Sequence, residues 1–304
     1  LDHSYHEDYD SAGAQFKAAI EESPEDPAGY FFLCGMYGFY MNDFSTDEVD
    51  GLFLINLFQT IWTAQKRLQA DSSDAWAHFY LGGAYAYRAF REQQRGSKWS
   101  ALGHALTAVR ELKSCVSLDT TIYDAYMGIG SYHYFVNHLW SYIPFLGTNP
   151  ERGINEITLA MHQATFVSVP AQEGLIHILL REKRRAEALE FARDLVRRYP
   201  ESRTFRWTLG KVYEELEDWP VAVLQYRRLY RMIETGQPGN LYNLAYCGHR
   251  LSKCLFQLGE FSEATDLCQH SLTLLDGLNE HRESEKLKKD LRSLLADIMK
   301  ASSR

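Results

Sequence analysis

No run of the chain approaches the roughly 20 consecutive apolar residues that a helix needs to cross a bilayer. The nearest, GLFLINLFQTIWTA at 51–64, is broken by Asn56 and Gln59 and reads as one long buried helix. Basic residues are scarce at the start, where residues 1–50 hold 12 acids and one lysine, more than the whole-chain formal charge of −8. With no basic stripe to track a phosphate backbone, nucleic acid is not an expected partner. That acidic end is read as solubilising the chain, with steering of a basic partner as the alternative.

Cysteine chemistry is also missing. Cys34, Cys115, Cys247, Cys254 and Cys268 make an odd count without a CxxC pair. Cys34, Cys115 and Cys268 sit where small buried residues are wanted, so packing explains them better than ligation or disulfides. Neither HExxH nor a P-loop, GxGxxG or GxSxG occurs, and GIG at 128–130 falls inside a helical pattern. His133 and His138 are five apart, about 140° around a helix, and so share no face. His3 and His6 lie at a terminus, and His177 and His249 lie far apart in the chain. No metal, cofactor or catalytic set is expected, and the chain is read as not an enzyme.

What is present is a spacing that recurs. In RWTLGKVYEELEDWPVAVLQYRRLY (206–230), Leu209, Gly210 and Tyr213 share one helical face, and after a polar turn Ala222, Tyr226 and Leu229 share another. Gly210 and Ala222 allow close backbone approach while the tyrosines fill the space beside them. The pattern returns as Ala12, Phe16 and Ala19; as Leu81, Gly82 and Tyr85; as Tyr126, Ile129, Gly130 and His133; as Ala188, Ala192 and Leu195; and from Leu251 through Gly259 and Ala264 to Ser271, with Ala108, Leu112 and Cys115 as a second helix. A helical hairpin cannot bury both faces alone, so stacked copies are implied.

This grammar resembles the tetratricopeptide repeat family, with the repeats at 203–234 and 245–276 matching best. The resemblance implies an all-α, right-handed α-α superhelix of hairpins. About seven repeats are expected over 1–280, in segments 1–24, 27–72, 75–120, 123–165, 169–200, 203–234 and 245–276. Residues 281–304 then form an amphipathic capping helix with Leu287, Leu291, Leu294, Leu295 and Ile298 on one side. Repeats two to four carry extra length between their helices. Ser45 and Glu48 are spaced as a capping box, Gly96 breaks the third repeat, and Asn149-Pro150 starts a helix in the fourth. YDAYMGIGSYHYF followed by WSYIPFLG and PERGINEITLAM also looks like the tetratricopeptide-39 and inclusion-clearance branch and its bacterial relatives. That likeness would imply an adaptor near lipid or membrane processes.

In stacked hairpins the first helices line the concave side. This places Phe79, Tyr87, Met127, Tyr134, His177, Arg181, Trp207, Lys211, His249 and Lys253 toward a groove, apolar early and basic late. The aromatic members could equally pack against the inserted loops. The asparagine slots of the family's carboxylate clamp hold Gly128, Ser131, His177 and Lys211, which argues against chaperone tails. HLWSYIPFLG (138–147) is read as folding back on the array, with peripheral contact to a lipid interface as the alternative. The expected function is a non-catalytic scaffold or adaptor for a protein or peptide on the concave surface. The alternative is a carrier of a small apolar ligand or lipid. The compartment is open, cytoplasmic or exported, since the chain begins at Leu1 either by loss of an export signal or by trimming.

Overall fold

The computed structural model describes residues 1–140, 150–278 and 283–302, and the described residues contain helices and no strand. In chain order these are α1 (Asp2–Tyr5), α2 (Tyr9–Glu22), α3 (Pro27–Phe44), α4 (Asp50–Ala70), α5 (Ala75–Gln94), α6 (Lys98–Leu118), α7 (Ala125–Trp140) and α8 (Pro150–Gln163). They continue as α9 (Ser168–Arg181), α10 (Arg185–Arg198), α11 (Arg203–Glu215), α12 (Trp219–Gly236), α13 (Leu241–Gln257), α14 (Phe261–Asp276) and α15 (Ser284–Ser302). The chain divides into two compact units. The first holds residues 1–41 and 47–178, and the second holds residues 42–46 and 179–304.

In the first unit, short polar residues start the helices that the apolar spacing calls for. The Asp8 carboxylate accepts from the Ser11 amide at 3.2 Å at the head of α2, and Asp74 accepts from Ala77 at 2.9 Å at the head of α5. Gly96, at φ +82°, ends α5 as the sequence suggests. The buried Asp124 carboxylate accepts from the amides of Thr165, Phe166 and Val167 at 3.0, 2.7 and 3.0 Å, fixing the entry to α9. Packing follows the small residues. A Cβ on Gly130 would lie 2.7 Å from the Gly153 carbonyl oxygen, so α7 and α8 cross backbone to backbone where nothing larger than glycine fits. Phe31, Leu57, Phe79, Tyr80 and Leu112 belong to one continuous core that reaches Ile129 at the start of α7.

Two expectations need correction here. Ser45 does not cap α4, because it takes φ +50° at the end of α3, and α4 instead begins after Val49, which offers no side-chain cap. The 51–64 run is also only half buried. Phe53, Leu57, Ile61 and Ala64 face the core, while Leu52, Ile55, Phe58 and Trp62 remain 46–59% exposed on the other side. Asn56, Thr60 and Thr63 enter the core face by donating to backbone carbonyls four residues back, at 2.7–2.8 Å, which removes the cost of burying their polar groups.

The second unit repeats the same devices. Ser202 caps α11 through the Phe205 amide, Asn240 caps α13 through the Asn243 amide at 3.0 Å, and Pro220 occupies the first turn of α12. A Cβ on Gly210 would sit 2.8 Å from the Tyr226 ring, so this tyrosine lies over the glycine rather than beside it. The final helix α15 packs on α13 and α14 and buries Leu287, Leu291 and Ile298. All five cysteines, across both units, are buried free thiols, and desolvation raises their pKa, to about 12 for Cys115 and Cys254.

Candidate functional site

The face shared by α11 and α13 in the second unit gathers Trp207, Lys211 and Lys253 of the expected groove residues. Trp207, Lys211 and Glu214 recur every three or four residues on α11, as Tyr246, Arg250 and Lys253 do on α13. The half-buried Trp207 ring centroid lies 5.2 Å from that of Tyr246 and 5.9 Å from that of Tyr226. Below it, Arg250 grips Glu214 with two hydrogen bonds of 2.7 Å, and the Lys253 ammonium stands 3.7 Å from the same carboxylate. Glu214 is 5% exposed and Lys253 44%, so the acid is inside and the amine faces out. Lys211 is exposed. His249 is largely enclosed. Burial, helped by the Arg250 charge, lowers its pKa to about 4, and its Nδ1 has no hydrogen-bond partner.

The earlier half behaves differently. Phe79 and Tyr134 are core residues of the first unit, 2% and 0% exposed. Phe79 lies among Phe31, Trp76 and Tyr80, with ring centroids 5.2–5.6 Å apart. Tyr87 stacks on Phe31 at 5.1 Å, with its hydroxyl filling the space beside Gly35. Met127 is half-buried. A partner cannot reach Phe79 or Tyr134, because the packing of α3, α5, α7 and α8 consumes the rings. His177 is exposed in the first unit and Arg181 is exposed in the second. The expected lipid contact through 138–147 falls on residues 141–147, which lie outside the described residues, and on 138–140, whose side chains are not described.

Sequence reasoning missed a second constellation in this unit. Residues 42–46, which pack as part of it, are held by side chains from α11, α13 and the link before α13. Arg203 donates to both oxygens of the Asp43 carboxylate, Nε to Oδ1 at 3.0 Å and a terminal nitrogen to Oδ2 at 2.5 Å. The Gln237 amide donates to Asp43 Oδ1 at 3.0 Å and to the Asp43 carbonyl at 3.1 Å. Asn243 donates to that same carbonyl at 2.7 Å, and Asn240 to the Phe44 carbonyl at 2.9 Å. The Arg203 guanidinium also lies 5.7 Å from the centre of the Phe44 ring. Asp43, Gln237 and Asn243 are each 2% exposed. The partners are 160 to 200 residues apart, so no local spacing reveals them.

Among the described residues no group of histidine, cysteine and acidic side chains is arranged to hold a metal ion. Two close histidine–glutamate pairs join neighbouring helices instead, His78 to Glu111 at 2.9 Å and His133 to Glu156 at 2.6 Å. No helix among the described residues is long and apolar enough to cross a membrane. An open cleft between α12 and α14 is lined by Tyr230, Leu251, His270 and the paired Arg227 and Glu263, which lie 2.7 Å apart.

Helices paired through glycine and alanine contacts, with aromatic residues filling the crossings, define an all-α helical-hairpin repeat protein. Residues 174–237 match the tetratricopeptide repeat family model. The solved structure of YrrB, described as a TPR protein with an unusual peptide-binding site, superposes at a TM-score of 0.50 and 13% identity, covering 74% of this chain and 97% of that one. The Cut9-Hcn1 hetero-tetramer of the APC/C matches at a TM-score of 0.55 and 12% identity, over 95% of this chain and 52% of that chain. The C-terminal part of a TPR repeat-containing protein from Cytophaga hutchinsonii matches at 0.50 and 14% identity, over 93% and 96%. At these identities the likeness is one of fold. No curated protein matches the chain.

Proposed function

We propose that the chain is a non-catalytic interaction scaffold that captures a peptide or protein segment on the α11–α13 face. The observation that carries this reading is the half-buried Trp207–Tyr246 ring pair beside the outward-facing Lys211 and Lys253. An apolar side chain docks against the rings, and an acidic group on the same segment meets the two amines. The peptide-binding site named for YrrB gives a fold-level precedent and no residue correspondence.

The test is an array of acidic, aromatic-containing peptides probed with wild type, with Trp207→Ala and with the Lys211→Glu/Lys253→Glu double variant. Capture is expected to fall at least tenfold in both variants. Equal capture by all three proteins sinks the proposal.

A further inference from the structure

The contacts around residues 42–46 are those of a recognition site with its ligand in place. α3 ends at Phe44, and the last four carbonyls of any helix have no partner within it. Two of those carbonyls, of Asp43 and Phe44, are taken up here by the amides of Gln237, Asn243 and Asn240. The one acidic side chain is read by a two-pronged arginine, and the aromatic ring lies against the same guanidinium. These contacts read a carboxylate, two successive main-chain carbonyls and a ring. Any helix that finishes in Asp followed by an aromatic residue presents the same set. Two of the readers, Gln237 and Asn243, are buried donors that pay a desolvation penalty when nothing accepts from them.

We propose that Arg203, Gln237, Asn240 and Asn243 form a site for a helix end that finishes in Asp and an aromatic residue. Residues 42–46 hold this site closed from within the chain, and a partner segment of the same chemistry displaces them. An occupant tethered in the same chain competes at an effective concentration on the order of millimolar, so the intact protein masks the site from weak ligands. The site uses side chains other than Trp207, Lys211 and Lys253 and stands even if those three bind nothing.

The probe is a fluorescein-labelled peptide of residues 36–47, MYGFYMNDFSTD, read by anisotropy against full-length proteins. The Asp43→Ala/Phe44→Ala protein is expected to bind it at least tenfold more tightly than wild type. Adding Asn243→Ala or Arg203→Ala, or replacing the aspartate at position 43 of the peptide by alanine, is expected to return binding to the wild-type level. If the opened protein, folded by circular dichroism, binds no better than wild type, or binds equally after Asn243→Ala, the proposal is wrong. Should that double variant fail to fold, hydrogen exchange on wild type decides. Faster exchange of the amides at 43–46 under excess peptide supports displacement, and unchanged exchange overturns it.

Discussion

His249 is the residue whose burial has the clearest solution consequence. Its imidazole is held neutral, with a pKa near 4 against 6.5 for an exposed histidine. Above pH 6.5 both the folded and unfolded states are neutral, and the stability associated with this residue is fully present. Between pH 6.5 and 4 the unfolded chain takes a proton that the folded chain refuses, so stability falls across that window by up to about 3 kcal/mol. Urea titrations at pH 7 and pH 4.5 should show this loss in wild type and a smaller one in His249→Phe. The neighbouring Arg250 is a different case. Arg250→Ala leaves the Glu214 carboxylate, 5% exposed, without its two hydrogen bonds, which should cost about 3 kcal/mol at neutral pH. Replacing both residues, as Glu214→Leu with Arg250→Met, should recover most of that loss in the same titration.

At the scale of single helices, two contacts in the first unit carry more than their size suggests. Gly130→Ala places a methyl group 2.7 Å from a backbone oxygen that cannot swing aside, so α7 and α8 must separate. The expected cost is roughly 2–3 kcal/mol, seen as a lower urea midpoint. Asp124→Ala removes the acceptor for three consecutive amides at the start of α9 and should cost a similar ~2–3 kcal/mol, with Asp124→Asn intermediate. A thermal melt that moves by less than a degree in Asp124→Ala would contradict that role. These helices were readable from the chain because their spacing is local. Gly130, Gly210, Gly96 and Pro150 announce a crossing, a crossing, a stop and a start through their own backbone chemistry. Ser45 misled because Ser-x-x-Glu spacing says nothing of φ, and the end of α3 imposes a left-handed residue there.

Over the whole chain, hairpin repeats touch mainly their sequence neighbours, so damage should stay near its source. Hydrogen exchange of Gly130→Ala is expected to rise in α7, α8 and α6 while α13 and α14 keep wild-type rates; a uniform rise would refute this locality. The same property sets what a sequence can disclose. Repeat grammar gives the hairpins, since each is written within about forty residues. The face of α11 and α13 was half visible, because Trp207, Lys211 and Lys253 sit at regular helical positions. The loss of Phe79 and Tyr134 to the core was not visible, since a tyrosine or phenylalanine at such a position serves packing or contact equally well until its neighbours are known. The clasp on Asp43 was wholly hidden, because it joins positions 160 residues apart or more without any repeat between them.

One row of side chains sets a practical limit on the molecule. Leu52, Ile55, Phe58 and Trp62 follow one another along the outside of α4 at 46–59% exposure, a greasy strip in a unit that also holds ion pairs such as Arg91 with Asp47 and Lys66 with Glu25. Concentrated samples should therefore become turbid through this strip before any helix melts. Ile55→Lys would raise the saturation concentration, leaving the melting temperature where it was.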